Sequence, residues 1–311
     1  MKNFILSISI ATLLGCAQTA TPPQVEQRIS NNSHVALTGP QVVEWLNTLY
    51  NSKFQNCHES ANQPAFLCSG IIFRVTDRRP GETHHVWNPS PTSVKNGGVS
   101  FSYLRADSKY GRLAWGHGNG YMLYPIFGAP QDKVDLDVLC SYPIDGWTWN
   151  RTTPCGHHAS FPASSQRCQS VPVTTAEQWK SVWDNSPDNH HIRQCGFDVS
   201  EPTGKPAAVP FYQSVRARGM LSQNPTHFTE QNEIVVKTWP QNLQNTLPLM
   251  AFFFIAGGSN AGLPEAQVNQ KDFYDSTTAR IWVPVIRLIP PSTSANEATF
   301  QYVEADQLVK P

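Results

Sequence analysis

Apolar positions recur at helical spacing behind Thr38-Gly39-Pro40, where Val42, Val43, Trp45, Leu46 and Leu49 predict an amphipathic helix. Residues 71–76 (IIFRVT) then read as a buried strand, and residues 99–104 (VSFSYL) alternate apolar and polar as a half-buried strand does. Residues 119–127 and 134–142 continue the strand pattern. From about residue 143 to residue 210 the pattern fails. Pro, Ser, His-His pairs and the cysteines Cys155, Cys168 and Cys195 dominate there, with one short helical signal at residues 174–183. We read this stretch as a disulfide-pinned insertion on one domain rather than a second domain. Strand signals return at residues 212–217, 233–238, 249–256, 281–288 and 299–303. The expected architecture is a β-rich α+β single domain with a small helical layer.

The N-terminus adds a compartment. A short basic start, Met1-Lys2-Asn3, precedes an apolar run over residues 4–14 and then Leu13-Leu14-Gly15-Cys16. A bilayer takes about 20 helical residues, so this run reads as a signal peptide over residues 1–15. Its end resembles a bacterial lipobox, which implies lipidation of Cys16 and a membrane anchor. Ala17, where an acidic residue would imply inner-membrane retention, implies sorting to the outer membrane. An ordinary secretory signal cut slightly later, giving a secreted protein, is the alternative. Residues 16–40 are polar and read as a tether to a folded body spanning residues 41–311.

Cysteine usage fits export. Setting Cys16 aside from the seven cysteines leaves Cys57, Cys68, Cys140, Cys155, Cys168 and Cys195, an even set that reads as three disulfides. Cys57 and Cys68 are the expected close pair. Cys155-Gly156-His157-His158 before Cys168 raises a zinc site as the rival, but neither CxxC nor HExxH occurs, and no metal is expected.

Composition narrows the partners. The 311 residues hold 23 Lys+Arg and 23 Asp+Glu, so the formal net charge is zero. Charged residues are 15%, below the roughly 25% of an average chain, which excludes a charged disordered tail. A nucleic-acid binder should be basic, and this chain is not. With 9 Trp, 9 Tyr and 15 Phe it can bury a large core.

Candidate chemistry lies in three segments, taken in chain order. Arg74 sits mid-strand, where a guanidinium needs an anionic partner. Its planar fork suits a diphosphate, although a salt bridge to a nearby carboxylate is the simpler reading of Arg74 alone. Ser100 and Ser102 share one face of their strand and could bind ribose or hold a carboxylate, or simply meet solvent. Gln231 and Glu233 share a face where the next apolar strand begins. A carboxylate at that mouth could take a ribose hydroxyl and stabilise an oxocarbenium-like centre, or merely decorate the surface.

This succession of Arg74, Ser100-Phe101-Ser102 and Gln231-Asn232-Glu233 resembles the R-S-E class of ADP-ribosyltransferase-like folds. The resemblance implies that Arg74 contacts phosphate and ribose, Ser100 positions Glu233, and Glu233 holds the 2′-hydroxyl as nicotinamide leaves NAD. The chain also resembles the halovibrin family of secreted bacterial NAD-glycohydrolases. That likeness rests on HVWNPSP (85–91), GVSFSYLR (98–105), EIVVKTWPQ (233–241), LPLMAFFF (247–254) and PVIRL (284–288). It implies NAD as substrate rather than cofactor, with water or an unidentified protein as acceptor. Two departures matter: Phe101 stands inside the Ser-x-Ser, and Gln231 stands where arginine-directed transferases carry a Glu. Modification of arginine is therefore not expected, whereas hydrolysis or another acceptor is.

Other features read more plainly. Trp87 and Tyr103 could stack on nicotinamide or adenine, or belong to an aromatic core. The pairs His84-His85, His157-His158 and His190-His191 read as loop surface. The glycine-rich Gly116-His117-Gly118-Asn119-Gly120 fits no phosphate-binding fingerprint and reads as a turn. Asp272 is a spare carboxylate, and no Gly-x-Ser-x-Gly elbow is present. The rival to an enzyme is a non-catalytic envelope lipoprotein that binds a ligand or partner through an aromatic surface.

Overall fold

Helix α1 (Gly39–Asn51) starts where the sequence places it: the Gln41 side chain reaches back, its Oε1 accepting from the Thr38 amide at 3.0 Å, and proline occupies the first turn. In this computed structural model the described residues are 37–52, 66, 69–76, 84–108, 118–123, 138–146, 151–153, 157–158, 173–185, 190–193, 195–200, 207–222, 231–239, 249–257, 262–277, 280–291 and 297–311. The signal peptide and nearly all of the tether lie outside them, as do Cys16, Cys57, Cys68, Cys155 and Cys168. Residues 36–311 form one compact unit of mixed α and β structure.

The strands of the main sheet are β1 (Ile71–Thr76), β2 (Gly98–Leu104), β3 (Asn119–Leu123), β4 (Val138–Tyr142), β7 (Phe197–Asp198), β8 (Glu233–Lys237), β9 (Leu249–Ile255), β10 (Val285–Ile289) and β11 (Thr299–Gln301). A separate ribbon joins β5 (Arg151–Thr153) to β6 (His157–His158). The nine-stranded sheet runs in the order β11-β10-β9-β3-β1-β2-β8-β4-β7. Among the described residues only β9 and β10 pair in parallel, and the helix of residues 262–276 lies between them in the chain, as a parallel pair requires a crossover. Gly120 lets β3 lie close to β1: a Cβ there would fall 2.0 Å from the Arg74 carbonyl oxygen.

Each sheet face has its own core. On one face α1 lays Val42, Leu46, Leu49 and Tyr50 over Ile71, Phe73, Phe253, Ile286 and Phe300. Fully burying such a side chain contributes about 1.5–3 kcal/mol, which is ample to hold a short helix. On the other face Phe101, Tyr103, Tyr121, Phe252 and Trp87 pack under α6 (Gly262–Ser276) and part of α5 (Ala208–Ser222). A third core gathers Trp179 and Trp183 of α3 (Ala176–Asn185), Ile192 of α4 (His190–Arg193), Phe197, and Ala217 and Leu221 of α5.

Several sequence expectations change here. Residues 212–217 are not a strand but the middle of α5. That helix faces two cores, with Phe211 and Val215 in one and Ala217 and Leu221 in the other, so no single apolar stripe marks it. Helix α6 escaped the pattern because it buries Asn269 and Gln270 beside Ala266 and Phe273. The turn of α2 (Pro91–Asn96) is capped by Ser90, whose Oγ accepts from the Ser93 amide at 3.1 Å, and it ends at Gly97 with φ 73°. The strand expected at 281–288 pairs only from Val285, after Pro284. The stretch expected as an irregular insertion gives β7 to the sheet edge and supplies most of the third core. Cys195 is disulfide-bonded. Cys140 is buried within the β4 ladder, opposite Asp198 and Val235, and the remaining candidates for pairing, Cys57, Cys68, Cys155 and Cys168, lie outside the described residues.

Candidate functional site

The sheet divides beside the middle of β1. Pairing between β1 and β2 stops at Phe73 opposite Ser102. Beyond it β1 continues against β3, as far as Thr76 opposite Asn119, while β2 continues against β8, as far as Gly98 opposite Lys237. Arg74 is the first β1 residue past the division. Its Nη1 donates to the Ser100 carbonyl at 3.1 Å, taking the place of the missing ladder bond. Arg74 is half-buried and Ser100 is exposed, so the division opens to solvent on the Ser100 side.

Glu233 arrives from β8. Cross-strand partners share a face, and Ser100 lies opposite Val235, two residues from Glu233. Ser100 Oγ donates to Glu233 Oε1 at 2.5 Å, and the Gly146 amide donates to Oε2 at 3.0 Å. Glu233 is only 4% exposed, and hydrogen bonds to both carboxylate oxygens offset the cost of burying it. The structure thus brings Arg74, Ser100 and Glu233 together, although 133 positions separate the last two in sequence.

The start of β8 is fixed by Asn232, which the sequence reading passed over. Its Oδ1 accepts from the Tyr103 amide at 2.8 Å, and its Nδ2 donates to the Tyr103 carbonyl at 2.7 Å and to Ser108 Oγ at 3.0 Å. Asn232 thereby stands in for a backbone ladder step. Gln231 is buried, and its carbonyl accepts from the Asp145 amide at 2.7 Å. Ser102 is buried opposite Phe73.

Two further groups set the electrostatics. Arg193 is 7% exposed, and its Nε donates to the Asp145 carbonyl at 2.6 Å. Burial pushes its guanidinium down to about 10, against the opposing pull of the charges of Asp145 and Glu233. Tyr121 lies opposite Arg74 with a buried hydroxyl that has no hydrogen-bond partner. Burial raises that phenol, and the charge of Arg74 lowers it less than burial raises it. At the far end of β1, Thr76 Oγ1 donates to Asn119 Oδ1 at 2.9 Å and Asn119 Nδ2 donates to Glu265 Oε2 at 2.5 Å.

Trp87 and Tyr103, candidates for stacking on a ligand, are both fully buried and belong to the core. The face of Trp87 is taken by His85, stacked at 4.6 Å, and its edges meet Phe252 and Phe273. Tyr103 shares a hydrogen bond with Ser69 and meets Phe211 edge-on. Asp272, without an assigned role in the sequence, pairs with His85 Nδ1 at 3.0 Å. Among the described residues no three His, Cys, Asp or Glu side chains gather as a metal site, and no helix is long and apolar enough to cross a membrane.

The arrangement offers a held carboxylate at a strand mouth, an exposed hydroxyl beside it and guanidinium groups nearby. Such a site can bind an anionic ligand and stabilise positive charge as it develops. No protein-family model matches the chain, and no curated protein matches it.

Proposed function

We propose that the chain is an NAD-glycohydrolase built on an ADP-ribosyltransferase-like fold, anchored in the cell envelope through a lipidated Cys16. The observation that supports this most is the Ser100–Glu233 hydrogen bond beside Arg74 at the division of the sheet. Loss of nicotinamide from NAD leaves an oxocarbenium-like ribose, and the bonding electron pair departs with the pyridine nitrogen. Glu233, held through both oxygens, would accept the ribose 2′-hydroxyl and face the developing cation. Ser100 keeps that carboxylate in place, and the Arg74 fork suits the diphosphate. Water then adds at the anomeric carbon and gives up a proton. Gln231 stands where arginine-directed transferases carry a Glu, which favours hydrolysis, or transfer to another acceptor, over modification of arginine.

The test is nicotinamide release from NAD by the oxidised protein beside its Glu233→Gln variant. The parent releases nicotinamide, and the variant falls by about a hundredfold or more in kcat/KM. Release that survives the substitution would remove Glu233 from the reacting centre. No release from the folded parent would favour a non-catalytic envelope lipoprotein.

A further inference from the structure

We infer that Arg193 is a positioning residue for Glu233, fixing the turn at residues 145–146 whose Gly146 amide holds the carboxylate. The contacts form a continuous chain. Arg193 Nε donates to the Asp145 carbonyl at 2.6 Å, the Asp145 amide donates to the Gln231 carbonyl at 2.7 Å, and the next amide, Gly146, donates to Glu233 Oε2 at 3.0 Å. Arg193, Asp145 and Glu233 are all buried. One guanidinium therefore ties the turn after β4 to the segment before β8, and the carboxylate sits where the two meet.

A merely structural arginine would fill space anywhere in the third core. The Nε of this one donates to the carbonyl whose neighbouring amide caps Glu233. Its placement is also locked from behind: the Cys195 amide bonds the Ile192 carbonyl at 3.0 Å, and Cys195 is disulfide-bonded. The cysteine-rich stretch thus completes a site whose other members lie on β1, β2 and β8. The Glu233 charge pulls on the Arg193 guanidinium, and by the same coupling the Arg193 charge favours the ionised form of Glu233.

The kinetic arm of the test rests on the NAD-cleaving reading; the spectroscopic arm does not. With carbon-13-labelled glutamate in the oxidised full-length protein, the Glu233 carboxyl signal is identified by its loss in Glu233→Gln. Its titration midpoint is then followed in the parent and in Arg193→Gln and Arg193→Lys. Arg193→Gln raises the midpoint by about one unit or more, while Arg193→Lys keeps it nearer the parent. In nicotinamide release, Arg193→Gln lowers kcat by about tenfold or more with KM within about threefold, and the acid limb of kcat moves to higher pH.

An unchanged Glu233 midpoint in Arg193→Gln with parental near-ultraviolet circular dichroism overturns the inference. Should Arg193→Gln lose its fold, Arg193→Lys decides. It retains the charge but not the Nε donor, so kcat falls severalfold, and parental kcat with a parental midpoint overturns the inference. A parent that releases no nicotinamide defeats the NAD reading, and the midpoint shift alone then decides the role of Arg193.

Discussion

At Gly120 a single missing side chain lets the sheet close beside Arg74. An added Cβ would lie 2.0 Å from the Arg74 carbonyl oxygen and 2.8 Å from the Phe253 ring. The first of these is backbone and can retreat only if β1 and β3 part. Gly120→Ala therefore costs about 1–3 kcal/mol in urea unfolding, as overpacking does, with the slope unchanged. Unaltered stability would mean that β3 shifts freely past Arg74. Residues at this scale were legible when their own side chains carried the signal. Arg74 broke an apolar strand, and Glu233 opened one. Gly146 and Asp145 contribute a backbone amide and a backbone carbonyl, groups common to nearly every residue type, so no side-chain pattern marks them. Trp87 and Tyr103 stayed open between a core and a ligand for the opposite reason: an aromatic ring reads the same in either place.

At the scale of elements, β8 owes its starting point to Asn232. Three hydrogen bonds join its amide to Tyr103 and Ser108 on the β2 side. Asn232→Ala leaves the Tyr103 amide and carbonyl without these partners in a buried place. Each such group costs about 1–3 kcal/mol, so the variant loses about 2–6 kcal/mol, seen as a lower denaturation midpoint. A loss below about 1 kcal/mol would mean that the strands register without the clamp. Strands such as β1, β2, β8 and β9 were readable because each presents a run or an alternation to one core. Helices α5 and α6 were not: α5 divides its apolar positions between two cores, and α6 buries amides such as Gln270, whose Nε2 donates to the Val283 carbonyl at 2.6 Å. Helical period survives only when one face is apolar and the other is wet.

At the scale of the whole molecule, the site depends on two bodies of packing that meet at β4 and α5. The sheet and its two faces hold Arg74 and Ser100, whereas the third core, with the disulfide at Cys195, holds Arg193. Stacking of Trp179 on Trp183, with ring centroids 5.3 Å apart and planes 13° from parallel, gives that third core its own spectroscopic signature. Loss of a native disulfide costs about 2–5 kcal/mol, and Cys195 is buried in the third core. Reduction should therefore lower the thermal midpoint of the near-ultraviolet tryptophan signal while the far-ultraviolet strand signal unfolds later. Between the two transitions both forms carry the sheet, but only the oxidised form holds Arg193 against the Asp145 turn. Coincident transitions after reduction, at the midpoint of the oxidised protein, would show that the third core does not lean on its disulfide. An early tryptophan transition ties the geometry around Glu233 to an oxidising environment, because Arg193, which bonds the turn whose Gly146 amide caps the second oxygen, then keeps its place only while Cys195 stays paired.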